Sequence, residues 1–203
     1  MENEQTSNNG NHELRKNDYE CIFGKSIPDF VRKRYGRDLD IIVYSFPPAP
    51  ESGRDFWILA TSGMSDFPQE EREKRGLPSR TEVLLYARDP KPWMYATLIH
   101  IAEFPFEKHT WLGALHTIND VMPADCHETG NMHSVIFITP SDSPSVEFPL
   151  SVDGNPIELL LAIPITAAEC KLADTEGSSS LVELLFGNGL DLVVNENRPS
   201  MVH

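Results

Sequence analysis

Several apolar runs in this chain lack the strict alternation of a strand that is half exposed to solvent. In Arg54–Ala60, Phe56, Ile58 and Ala60 occupy one side and Trp57 and Leu59 the other, which predicts a central strand covered on both faces. Leu39–Phe46 is a second β-rich run, ended by Pro47-Pro48. Arg80–Ala87 predicts a third strand and Ile157–Ile163 a fourth, with shorter β elements near His116–Ile118 and His133–Thr139. Ser26–Tyr35 predicts a helix, with Pro28 in its first turn and Gly36 at its end. A second helix opens at Pro92 and is expected to stop near Glu103, ahead of Pro105. Thr166–Glu169 and Ser180–Glu183 both fit the capping box, in which a hydroxyl and a Glu three residues on satisfy helix N–H groups reciprocally. Gly177 separates these two helices, and Gly187 and Gly189 end the second.

Strands and helices therefore mix without a regular βαβ alternation. The expected fold class is α/β of the α+β type, a mixed and largely antiparallel sheet with helices packed on it. A length of 203 residues suits one sizeable core. Residues 1–18 are expected to form a flexible polar arm, tucked in by Leu14. Residues 19–194 form the domain, and 195–203 a short C-terminal tail. Phe67–Ser79 is a charged insertion that predicts a short helix or a flap. No internal repeat occurs.

The net charge of −14 is unevenly spread. Residues 109–197 hold thirteen acids against the single cation Lys171. Such a half repels phosphate backbones, which argues against nucleic acid as a partner. It attracts basic proteins and raises their association rate; a solvated acidic surface is the plainer reading. No stretch reaches the roughly 20 apolar residues of a membrane helix, and no signal-peptide core precedes the domain. Three widely spaced cysteines without a CxxC motif fit free thiols in the cytoplasm.

Catalytic punctuation is missing. Ser65 follows Gly63-Met64, but Phe67 stands where a GxSxG elbow needs its second glycine. There is no phosphate-binding glycine loop and no HExxH pair. Cys126-His127 with His133 lacks a recognised zinc spacing, and Asp38 with Asp40 is a strand-opening acid pair of the solvent-facing kind. Neither a cofactor nor a metal is expected, and the chain reads as a non-enzymatic binding module. The alternatives are a regulator that sequesters a signalling or transcription partner by binding an extended peptide at a sheet edge, and an enzyme with an unrecognised site.

The order and spacing of five blocks resemble a known family. They are Asp38–Val43, Trp57–Asp66 with the turn Thr61-Ser62-Gly63-Met64-Ser65-Asp66, Arg80–Tyr86, Trp93, and Ile163–Glu169 with Pro164, Thr166 and Glu169. Together they resemble the suppressor of fused (SUFU) domain over about residues 38–186. The resemblance implies a single SUFU-like domain that works by binding another protein. Animal relatives sequester a transcription factor, gripping an extended peptide with the help of a second domain. Stand-alone members are similar to bacterial proteins proposed as immunity proteins that neutralise a cognate toxin. A protein partner, in particular a basic toxin, is therefore expected, with neither nucleic acid nor membrane. The expected partner-binding acids are Asp66, Asp120, Asp125, Glu128 and Asp142.

Overall fold

The computed structural model describes residues 2–27, 31–35, 39–122, 132–140 and 150–202, with backbone alone for 2–10 and 31–35. Helix α1 (Glu2–Phe23) is followed by strands β1 (Val31–Tyr35), β2 (Leu39–Phe46) and β3 (Trp57–Ser62), then by a short helix α2 (Glu70–Glu73). Strand β4 (Arg80–Ala87), helix α3 (Pro92–Glu107), and strands β5 (Thr117–Ile118) and β6 (Met132–Ile138) come next. The remainder is β7 (Ser151–Val152), β8 (Asn155–Thr166), helices α4 (Ala167–Glu176) and α5 (Ser178–Gly187), and β9 (Val193–Val194).

The strands form one sheet in the order β1-β2-β3-β4-β8-β6-β5, with β7 on β8 and β9 on β4. Pairing is antiparallel except between β4 and β8 and between β4 and β9. Both faces are covered, as the two-sided apolar runs predict. Ile41, Val43, Leu59, Val83, Leu85, Leu160 and Ala162 face α3. Ile42, Tyr44, Ile58, Ala60, Leu84, Leu161 and Ile163 face α1, α4 and α5. Alternate residues of each strand thus serve opposite layers, which is why no central strand shows a polar side.

Four local expectations are corrected. The polar arm expected over residues 1–18 is helical from Glu2 on, because α1 runs through it. Leu14, the expected anchor, is 62% exposed, whereas His12, Arg15, Tyr19 and Phe23 are buried. These recur at helical spacing, but two are polar, so the buried face carries no hydrophobic signature. The helix expected over Ser26–Tyr35 is replaced by β1, whose ladder with β2 runs from Val31 opposite Val43 to Tyr35 opposite Leu39. Tertiary pairing outweighs the local helix signal there. Helix α3 continues through Pro105 to Glu107. The proline lies one turn from the helix end and is itself buried, so one missing hydrogen bond is tolerated. The box at Ser180–Glu183 does not form, because α5 already starts at Ser178 with Gly177 as its cap. The Ser180 hydroxyl donates to the Glu176 carbonyl instead, at 3.0 Å.

Candidate functional site

The turn Thr61–Asp66 ends β3 and is built around one carboxylate, Glu82 of β4. Glu82 Oε1 accepts from the Gly63 and Ser65 N–H groups at 2.9 and 3.0 Å and from the Ser65 hydroxyl at 2.7 Å. Its Oε2 accepts from the Thr61 hydroxyl at 2.6 Å. Glu82 is wholly buried, and a buried acid is tolerated when its lone pairs are met in this way. Gly63 has φ 120°, and a Cβ there would lie 2.0 Å from the Asp40 carbonyl oxygen. Glycine is required on both counts. Met64 and Ser65 are fully buried, so Ser65 holds the turn and presents no nucleophile to solvent.

Helix α1 bolts onto this turn. Arg15 donates through Nε to Ser62 Oγ at 2.7 Å and through Nη1 to Asp66 Oδ1 at 2.7 Å. Its Nε also lies 3.7 Å from Glu82 Oε1. Burial alone lowers the pKa of the Arg15 guanidinium, but the Glu82 and Asp66 charges outweigh it and raise the pKa. His12 Nδ1 lies 2.8 Å from Ser62 Oγ, and its Nε2 faces Asp40 Oδ2 at 3.8 Å. The Tyr19 hydroxyl donates to the Thr61 carbonyl at 2.8 Å. Below the turn, Arg80 Nη1 donates to the Ser65 and Asp66 carbonyls at 2.5 and 2.7 Å.

The second signature block forms a similar clamp at the other end of the sheet. The capping box is real here: the Glu169 N–H donates to Thr166 Oγ1 at 3.3 Å, and the Thr166 N–H donates to Glu169 Oε2 at 2.9 Å. Arg198 spans both Glu169 oxygens, at 2.5 and 2.8 Å, and donates to the Pro164 carbonyl at 3.2 Å. The Met201 N–H closes on Glu169 at 2.9 Å. The C-terminal tail is thereby fastened to the sheet rather than trailing from it. Burial pushes the Glu169 carboxyl up, but the bonds from Arg198, Met201 and Thr166 hold it below the ordinary carboxylate range. The charged insertion Phe67–Ser79 is likewise pinned. Arg72 is fully buried, donating to the Pro78 and Leu112 carbonyls and pairing with Glu158.

The acids expected to meet a partner divide sharply. Asp66 is turned inward, its side chain only 4% exposed and engaged by Arg15; it does not belong to an outer face. Asp120 is exposed. Asp125, Glu128 and Asp142 lie outside the described residues, as do Cys126, His127 and Asp38. The structure adds exposed acids that the sequence did not single out: Asp174 and Glu176 on α4 and Glu183 on α5. Burial pushes the Cys170 thiol up, a bond with Ser134 opposes this, and the Asp174 and Asp120 carboxylates add to the rise. Those two acids, distant in sequence, therefore border the same sulfur. Lys171 is the only exposed cation over residues 150–202, because Arg198 is buried against Glu169. No group of metal-ligating side chains occurs among the described residues. No helix among them is long and apolar enough to cross a membrane.

A sequence profile of the suppressor of fused protein (SUFU) family matches residues 36–199. The chain belongs to the SUFU family. It is similar in structure to a protein described as a SUFU homologue from Neisseria gonorrhoeae, with 16% identity, a TM-score of 0.71, and 96% of this chain and 98% of that one covered. A chain of the Sufu–Fu complex crystal structure matches with 14% identity and a TM-score of 0.62, covering 96% of this chain and 92% of that one. Drosophila Suppressor of Fused matches with 15% identity and a TM-score of 0.61 over 93% of this chain, which spans half of that longer protein. At these identities the likeness establishes the fold. No curated protein sequence matches the chain.

Proposed function

We propose that this SUFU domain is a non-catalytic protein-binding module that neutralises a basic protein, in the manner of an immunity protein acting on a toxin. The observation that carries the reading is the run of exposed acids in the C-terminal part, Asp174, Glu176 and Glu183 with Asp120 brought near Asp174 at Cys170, against Lys171 as the only exposed cation over residues 150–202. Such a face focuses negative potential on an approaching basic surface and speeds encounter. Both signature blocks are spent on internal hydrogen bonds, which is the behaviour of a scaffold. A SUFU-fold chain in the Sufu–Fu crystal structure sits in a complex, and protein binding is the property carried over.

The test is affinity capture of the full chain in extracts of its source organism, followed by association kinetics with the recovered protein at low and high salt. A basic partner whose association slows steeply as salt rises is expected. An acidic partner, or rates flat with salt, overturns the reading. A second reading, capture of an extended peptide by strand addition, is favoured by one observation: β1 ends the sheet, with no strand on its outer edge among the described residues. Main-chain pairing of that kind is largely insensitive to salt, so the same measurement separates the two.

A further inference from the structure

We propose that the carboxylate pair Asp66 and Glu82 is a receptor for an arginine side chain, filled in cis by Arg15 and able to take an arginine of another protein in its place. Two buried acids face one guanidinium there, at 2.7 Å from Asp66 Oδ1 and 3.7 Å from Glu82 Oε1. Arg15 does not exhaust the site. Its fork is divided among Ser62 Oγ through Nε, Asp66 through Nη1 and His12 Nδ1 through Nη2 at 3.3 Å. Asn11 adds a bond to the same Asp66 oxygen, Oδ1, at 3.1 Å. Asp66 Oδ2 is consequently buried with no hydrogen-bond partner among the described residues, on a side chain 4% exposed. A guanidinium not tethered to α1 can turn to engage both Asp66 oxygens, the side-by-side geometry that makes arginine–carboxylate pairs strong. Arg80, the other cation beside the turn, gives its Nη1 to the Ser65 and Asp66 carbonyls and makes no bond to Oδ2.

The distribution of these residues along the chain points the same way. Ser62, Asp66 and Glu82 all fall within residues 36–199, which the family profile matches, whereas Arg15 precedes them. The matched span thus carries the acids, and helix α1, which precedes it, supplies the cation. That helix holds five Asn residues and Gly10, all of modest or poor helix propensity. Its described apolar anchors are Tyr19, Phe23 and the half-buried Ile22. Such a segment opens at lower free energy than the sheet it covers. The inference rests on the basic-partner reading only in taking the incoming arginine from a protein.

Chemical rescue needs no partner and tests the receptor alone. In full-length Arg15→Ala, millimolar guanidinium chloride should raise the thermal midpoint by several degrees and saturate, whereas ammonium chloride at equal concentration should not. Arg15→Lys, whose ammonium occupies the space, should show no such gain. Argininamide should reproduce the rescue and lysinamide should not. In the unmodified chain, an octa-arginine peptide should increase amide exchange along α1 more than octa-lysine does. Equal action of guanidinium and ammonium on Arg15→Ala overturns the proposal, and so does a variant that stays unfolded in both salts. Equal action of the two peptides on α1 also overturns it. None of these outcomes bears on whether the partner's association depends on salt.

Discussion

The carboxylates inside this protein and those on its α4–α5 face are the same chemical groups set to opposite tasks. Glu82 and Glu169 each collect several bonds from N–H groups, hydroxyls or an arginine, and each closes a connection between distant segments. Asp120, Asp174, Glu176 and Glu183 are exposed, and their fields reach solvent. Burial raises the energetic consequence of every unmet bond, so interior acids become geometric constraints. Exposure screens the outer acids, so they act collectively and at longer range. A signature motif can therefore be rich in polar residues and still hold the fold together, while the outer face proposed to meet a basic partner has no motif.

Substitutions should separate the two roles by size of effect. The largest is expected of Gly63→Ala, which puts a methyl group where the Asp40 carbonyl oxygen already lies. A loss of more than about 4 kcal/mol is expected in urea denaturation; a mild effect would show that the turn adapts and that Glu82 does not fix it. Glu82→Gln keeps the shape but replaces one acceptor oxygen with a donor among four donors, and should cost about 3 kcal/mol. Near-wild-type stability there would place the constraint elsewhere.

Acid should act next, at the opposite clamp. The Glu169 carboxyl sits below the ordinary range in the folded chain. Its contribution is therefore complete above the unfolded carboxyl value of about 4.3 and is lost as pH falls through the lower folded value. Exchange protection of the Met201 amide, corrected for intrinsic rate, should hold near neutrality and disappear on strong acidification before global unfolding. Protection that persists until the whole chain unfolds would mean that the tail is held by something other than Glu169.

The smallest effect on folding should come from the outer acids. Asp120→Lys, Asp174→Lys and Glu183→Lys should each change stability by less than about 0.5 kcal/mol. Combined, they should slow association with a basic partner about tenfold at low salt and flatten its salt dependence. A triple variant that associates at the original rate would remove this face from the binding account.

Much of the sheet was legible in the pattern alone. Strands β2 and β4 coincide with the predicted runs Leu39–Phe46 and Arg80–Ala87, and Thr166–Glu169 caps α4 as its spacing predicts. Strand β8 is longer than expected because Pro156 and Pro164 lie within the ladder; proline terminates a strand by rule of thumb, not by necessity. Strand β1 was misread because its partner, not its own residues, sets its conformation. Helix α1 was missed because its buried face holds His12 and Arg15, which burial patterns ordinarily assign to solvent.

By itself the amino-acid sequence determined the two-sided apolar strands, the family blocks and the excess of acid after residue 108. These follow from periodicity, short-range chemistry and counting. Only the tertiary structure decided that Asp66 faces inward, that Glu82 is the centre of the signature turn, and that Arg15 and Arg198 fasten the two ends of the chain. Each of these depends on groups tens of residues apart meeting in a low-dielectric interior, where a charge persists only if its partners are already in place. Spacing along a chain records a helix face or a strand face, but it does not record which carboxylate an arginine will find.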